Sequence, residues 1–177
     1  ISKSINKYDN EVRLGNFKKN ASKIETLELF KKEMLIVGFG RIGKKLIKRC
    51  LGFDMKVNVF DPFVTTEVIK GFGGNKIENL EKGLENCDYL SLHIPLTEKT
   101  RNMINYEKIK SMKKNAVIIN TSRGGIINET DLDNALKNNI IFGAGLDVFE
   151  KEPIDKINPL IKNKKVLLSP HSATFTN

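Results

Sequence analysis

The sequence predicts an α/β fold: a doubly wound parallel sheet with helices packed on both of its faces. Three observations predict it. Short β-branched runs alternate with helical patterns along most of the chain, the signature of repeated strand–helix–strand units. One run, residues 34–37, feeds directly into Gly38, Gly40 and Gly43 at G-x-G-x-x-G spacing and then into a helix-like segment, 44–51. A later run, residues 116–120 (AVIIN), is apolar on both sides, as a strand covered above and below must be.

The glycine spacing has a mechanical reading. The first glycine permits the turn, the second lets a pyrophosphate approach the backbone, and the third lets helix and strand pack closely. A phosphate there meets free N–H groups and the positive end of a helix dipole. The next strand, 55–60, ends at Asp61, 18 residues after Gly43. That interval suits the acid that receives the ribose hydroxyls of a dinucleotide, for which about 20 residues are usual. A carboxylate accepts from both hydroxyls but repels a 2′-phosphate, so the sequence favours NAD over NADP. Asp61 also reads as an ordinary turn residue ahead of Pro62.

A chain of 177 residues fits one domain and buries roughly 70% of its unfolded surface, so its core needs no staples. The net charge of +9 raises the question of a nucleic-acid partner. The lysines, however, are scattered (Lys44, Lys45 and Lys48; Lys162, Lys164 and Lys165) without interleaved aromatics, and read as solvated faces. Cys50 and Cys87 lack the spacing and partners of a metal site, and none is predicted; they read as reduced core residues of a cytoplasmic protein. No apolar run approaches the ~20 residues that span a bilayer, and the amino end is not signal-like, so no membrane partner is predicted. The chain begins with Ile1 and reads as a piece of a longer one.

In chain order, residues 2–17 read as the end of a helix stopped by Gly15, with no core of its own. Residues 16–33 read as a lysine-rich connection with a turn at Lys31 and Lys32. After Asp61 come a short helix at 64–70, a loop at 71–74, a minor strand at Ile77, a helix at 79–86 and a strand at 88–93. Residues 94–97 break that strand, and 100–112 holds one or two short helical pieces. Beyond the loop 121–125, Asn128 or Glu129 caps a helix to about Asn138, with Leu132, Ala135 and Leu136 inward. Two more strands follow at 142–148 and 165–169. Ligands on such sheets lie beyond the carboxyl ends of the strands, which here carry 38–43, Asp61, His93, 121–123, 147–152 and His171.

Taken together these segments resemble the nicotinamide-binding domain of the D-isomer-specific 2-hydroxyacid dehydrogenases, which is of Rossmann type. The matching stretches are VGFGRIG at 37–43, LHIPLTEKTRNMIN at 92–105, NTSRGGIIN at 120–128, GLDVFEKEP at 145–153 and SPHSA at 169–173. They fall in order and cover nearly the whole chain. The resemblance implies an NAD-dependent oxidoreductase. It would move a hydride between nicotinamide and C2 of a D-2-hydroxy or 2-keto acid, of the phosphoglycerate or hydroxypyruvate/glyoxylate type.

Carried over by position, the resemblance implies that Arg123 binds the substrate carboxylate and polarises its carbonyl. It makes His171 the acid/base and Glu152 the partner of His171. These types suit the chemistry: histidine titrates near neutrality, a carboxylate fixes its tautomer, and the arginine fork matches a carboxylate. The same pattern sets Arg41 and Ile42 along the pyrophosphate, Asp147 near the nicotinamide carboxamide, and Thr121, Ser122 and Ser172 against the nicotinamide end. Singly, Arg123 also reads as a surface cation, Glu152 as a solvated loop acid and His171 as a residue packed after Pro170. His93 is expected to be structural or to line the cofactor cleft.

The resemblance also implies a domain plan. Residues 1–20 would be the end of an interdomain helix and its linker, and 21–177 the NAD-binding domain, with the substrate domain largely missing. Such a piece is expected to bind NAD, to turn over poorly alone and to form a homodimer. An NAD-sensing module like those of transcriptional corepressors is the alternative; formate oxidation fits less well, because that relative pairs its histidine with glutamine where this chain has Glu152.

Overall fold

The computed structural model describes residues 1–17 and 23–175. Strands β1 (Glu33–Val37), β2 (Lys56–Phe60), β3 (Asn75–Lys76), β4 (Tyr89–Leu92), β5 (Val117–Asn120), β6 (Gly143–Leu146) and β7 (Val166–Leu168) form one sheet. Its order is β3-β2-β1-β4-β5-β6-β7, and every pairing is parallel. The helices between them are α2 (Arg41–Gly52), α3 (Thr66–Gly71), α4 (Leu80–Asn86), α5 (Tyr106–Ser111), α6 (Glu129–Lys137) and α7 (Pro159–Lys162). The doubly wound reading therefore stands. The strand order reverses between β1 and β4, so the switch-point crevice opens where Val37 pairs with Leu92.

Alternating side chains divide the core in two. Leu35 and Val37 of β1 join Leu90, Leu92 and Ile118 on one face, under α4 to α7. Met34 and Ile36 join Val57, Val59 and Ile47 on the other, under α2 and α3. Both faces of β1 are thus covered, which explains its uninterrupted apolar run. Cys50 and Cys87 are free and buried, and burial pushes their thiols up to about 11 and about 12.

Local chemistry refines several expected elements. Asn128, not Glu129, caps α6: its Oδ1 accepts Asp131 N–H at 3.0 Å, and Leu132, Ala135 and Leu136 are buried as expected. Residues 97–102 form a turn tied by Thr97 and Thr100, leaving α5 as the one helix of 100–112. Ile104 forms an isolated bridge with Ile127 instead of extending a helix. Strand β3 ends one residue before Ile77, whose N–H still donates to Val59.

Within residues 2–17 the amino-terminal helix, α1, spans Ile5–Arg13 and ends just before Gly15. Ser4 adopts a left-handed conformation, donates its hydroxyl to Glu25 O at 2.9 Å, and lets Ile1 pack over the glycines of β6. Helix α1 buries none of its residues, in keeping with the missing core expected for it. The expected boundary at residues 20 and 21 lies outside the described residues. No helix among the described residues is long and apolar enough to cross a membrane.

Candidate active site

The glycine turn is built as its spacing demands. Gly38 has φ +94°, and a Cβ there would stand 2.5 Å from His93 O, so only glycine lets β1 pass β4 at this point. A Cβ at Gly43 would strike Gly38 O, which is the close helix-on-turn contact expected of the third glycine. Gly40 differs. It is exposed, and a Cβ there would meet no protein atom within 4 Å. Its missing side chain therefore leaves room toward solvent, where a ligand would approach. Gly40 is also the N-cap of α2 and offers no side-chain cap, so the N–H groups of the first turn remain available to an anion. Arg41 and Ile42 are both exposed on that turn.

Asp61 reaches back to the same turn. Its Oδ2 accepts Phe39 N–H at 2.8 Å and its Oδ1 accepts Phe63 N–H at 2.9 Å, so the carboxylate joins the end of β2 to the glycine loop. Each oxygen keeps a lone pair for a further donor. Gly38, Gly40, Asp61, Phe63, His93 and Met103 line a cleft of about 840 Å³ at the switch point. Phe63 is 93% exposed at this cleft, and nothing in the domain's own packing accounts for it. His93 lines the cleft, and its Nε2 lies 2.9 Å from the buried Ser91 hydroxyl. Burial pushes its pKa below the ordinary histidine value. The residues therefore fit an adenine dinucleotide: Gly40 and the start of α2 offer room and free N–H groups to an anion, and Asp61 offers acceptors to hydroxyls.

A second group assembles beyond β5, β6 and β7. Glu152 Oε2 and His171 Nδ1 are 2.7 Å apart, and Glu152 Oε1 accepts Phe149 N–H at 2.9 Å. The hydrogen bond from His171 and that from the Phe149 amide hold Glu152 below the usual carboxylate range. An ionised carboxylate only accepts, so the proton of this pair sits on Nδ1. His171 itself has φ +52° and donates its N–H to Asp147 O at 2.8 Å.

Asp147 organises the turn around His171. Its Oδ1 accepts the Ser169 hydroxyl at 2.5 Å and Ser172 N–H at 2.9 Å, and its Oδ2 accepts Ala173 N–H at 2.9 Å. Burial pushes the Asp147 carboxyl up, but these three bonds and the nearby His171 outweigh it, and the net direction is down. Its side chain is thus spent largely on the protein, with one acceptor position left over. Ser172 enters the network through its backbone. Thr121 lies beside Asp147 and Ser169 on a cleft of about 400 Å³.

Arg123 follows β5 on a loop fixed by Asn120. Asn120 Oδ1 accepts both Ser122 N–H and the Ser122 hydroxyl, and its Nδ2 donates to Arg123 O at 2.9 Å. The Arg123 guanidinium is exposed and donates to Ser122 O at 2.6 Å. Among the described residues no hydrogen bond or ion pair joins it to Glu152 or His171. Asn120, Phe63 and Ser169 escaped the reading of the sequence. An Asn at a strand end followed two residues later by Ser is an Asx-turn signal, and would have found Asn120.

The sheet order and the switch-point cleft define a doubly wound dinucleotide-binding domain. Residues 1–173 match the family described as "D-isomer specific 2-hydroxyacid dehydrogenase, NAD binding domain", and the chain belongs to that family. It is 41% identical over 150 residues to a D-3-phosphoglycerate dehydrogenase of Methanocaldococcus jannaschii, covering 85% of this chain and 28% of the relative. It is 42% identical over 150 residues to a glyoxylate reductase of Korarchaeum cryptofilum, covering 85% of this chain and 45% of the relative. The chain therefore spans less than half the length of these two relatives. A crystal structure of a D-lactate dehydrogenase from Aquifex aeolicus, complexed with NAD and lactic acid, superposes with a TM-score of 0.90 at 32% identity, over 99% of this chain and 56% of that one.

Proposed function

We propose that this chain is the NAD-binding part of an oxidoreductase acting between a D-2-hydroxy acid and its 2-keto acid. The observation that carries the reading is the pair of Glu152 and His171 at 2.7 Å, brought together across 19 residues at the carboxyl edge of the sheet. Bound NAD supplies the hydride acceptor, and NADH the donor. Gly38, Gly40, Gly43, Arg41 and Ile42 hold the pyrophosphate, and Asp61 takes the adenosine ribose. Thr121, Ser122, Asp147 and Ser172 border the nicotinamide.

In the oxidising direction His171 Nε2 takes the hydroxyl proton as the hydride leaves C2; in reduction it returns it. Glu152 keeps Nδ1 protonated and stabilises the charge that His171 gains. Arg123 pairs with the substrate carboxylate and steadies negative charge on the carbonyl oxygen. Proton transfer of this kind contributes roughly 10²- to 10⁴-fold in rate. Small 2-hydroxy and 2-keto acids, of the kind the relatives' names carry in phosphoglycerate and glyoxylate, are the substrate class. A homodimer and a cytoplasmic location belong to the same reading, as does a division into residues 1–20 and 21–177. A module that only sensed NAD would have no use for Arg123, Glu152 and His171 together.

Thermal unfolding with and without NADH or NADPH tests the binding half. A ligand at about 100 times its Kd adds ~2.7 kcal/mol, and each kcal/mol raises Tm by roughly 2–4 °C for a domain of this size. A rise with NADH alone is expected, and no rise with either cofactor overturns the site. In the complete protein, His171→Asn should abolish turnover while leaving the NADH-induced rise intact; retained turnover removes His171 from the chemistry.

A further inference from the structure

The segment that carries Glu152 has few apolar anchors. Lys151, Glu152 and Pro153 are exposed and Ile157 is 86% exposed, while Phe149 and Ile154 reach the core. Two points of the segment nevertheless converge on one side chain from another element. Glu129 Oε1 accepts Glu150 N–H at 2.6 Å, and Glu129 Oε2 accepts from Asn158 Nδ2 at 2.7 Å. Asn158 is held in orientation by its own Oδ1, which accepts Leu160 N–H at 3.0 Å. Glu129 opens α6, whose seat does not depend on this segment: Asn128 caps it, and Leu132, Ala135 and Leu136 bury its inner face. One carboxylate on a fixed helix therefore closes residues 150–158 at both ends.

We propose that Glu129 is a positioning residue for the acid/base pair. By bridging Glu150 and Asn158 it holds Glu152 where Oε2 accepts the Nδ1–H of His171, and so maintains the tautomer that leaves Nε2 for the substrate hydroxyl. The inference rests on the roles given above to Glu152 and His171. Two donors must be met by two oxygens of one group, which is what a carboxylate provides. Glutamine would satisfy one donor and turn an NH₂ toward the other. The start of a helix also favours a negative charge at this position.

The ¹⁵N resonances of the His171 ring, told apart from those of His93 by substituting the latter, report the tautomer directly. In the wild-type chain His171 should carry its proton on Nδ1. Glu129→Ala should lose that preference, Glu129→Gln should retain part of it, and Thr130→Ala, an exposed neighbour on the same turn, should leave it unchanged. In the complete protein, Glu129→Ala should lower kcat by up to about 100-fold, the scale of an ångström's misplacement, with KM nearly constant. An unaltered His171 tautomer in folded Glu129→Ala overturns the proposal, and Glu129→Gln is read in its place if the alanine variant does not fold. A wild-type Glu150 amide that exchanges with solvent at the open-chain rate overturns it without any variant. Retained turnover in His171→Asn would sink the acid/base assignment and leave the tautomer result standing, so the two failures are distinct.

Discussion

Gly124 lies so close to the carbonyl of Phe149 that no Cβ fits between them. The contact joins two loops with different tasks. Gly124 follows Arg123 directly, and the Phe149 amide donates to Glu152. The loop of Arg123 and the pair of Glu152 and His171 are therefore linked through two backbones, with no side chain between.

Gly124→Ala should consequently damage both loops. Backbone atoms cannot swing aside as a side chain would, and overpacking of this kind costs about 1–3 kcal/mol. The drop in Tm by calorimetry gives the magnitude. A variant as stable as the wild type would mean that the two loops yield independently.

The Glu152 carboxyl should titrate below the ordinary range, and His171→Asn should raise its midpoint, because the bond from His171 is the leading cause of the shift. A lowered folded value means that the unfolded chain binds the proton more readily. The stability tied to Glu152 is then complete above the unfolded carboxylate range and is lost as pH falls through the lowered folded value. Carboxyl ¹³C resonances followed across the acid range check this. An identical Glu152 midpoint in both proteins would show that the pair does not interact.

Much of this was legible in the sequence because it is local. The glycine loop, the strand that precedes it and Asp61 declare themselves by spacing, and Asn128 is one of the two caps expected for α6. The Glu152 and His171 pairing spans 19 residues, and only the resemblance suggested it. What escaped is a set of long-range bonds from side chains to backbone amides: Asp147 to residues 172 and 173, and Glu129 to Glu150. Their spacings follow no period, since the distance depends on how two loops meet in space. Of the one or two helical pieces expected in 100–112, α5 formed, and Ile104 pairs instead with Ile127, a long-range contact that no local pattern announces.

Asp61 holds the Phe39 amide and is the residue proposed to take the ribose, and Asp61→Ser should separate the two. Without a carboxylate the ribose site no longer repels a 2′-phosphate, so the NADPH-induced rise in Tm should grow relative to that with NADH. The buried Phe39 N–H also loses its acceptor, which costs about 1–3 kcal/mol even with no cofactor present. Melting curves of both proteins with each cofactor and with none measure the two effects together. An unchanged ratio of the two rises would remove Asp61 from the ribose site, whatever happens to the bare protein.

His93 should titrate below the ordinary histidine value, because burial at the cleft disfavours its charged form. It is then neutral at pH 7, with Ser91 as its partner. The folded pKa lies below the unfolded one, so stability linked to His93 is complete above the unfolded value and is lost as pH falls toward the folded one. His93→Gln, which retains a polar side chain beside Ser91, should flatten that part of the pH dependence of Tm. Proton NMR of the ring separates His93 from His171, the other histidine in the chain. A His93 midpoint at or above the ordinary value would mean that the ring is better hydrated than its place beside Gly38 and Ser91 allows, and that the cleft floor is open to water.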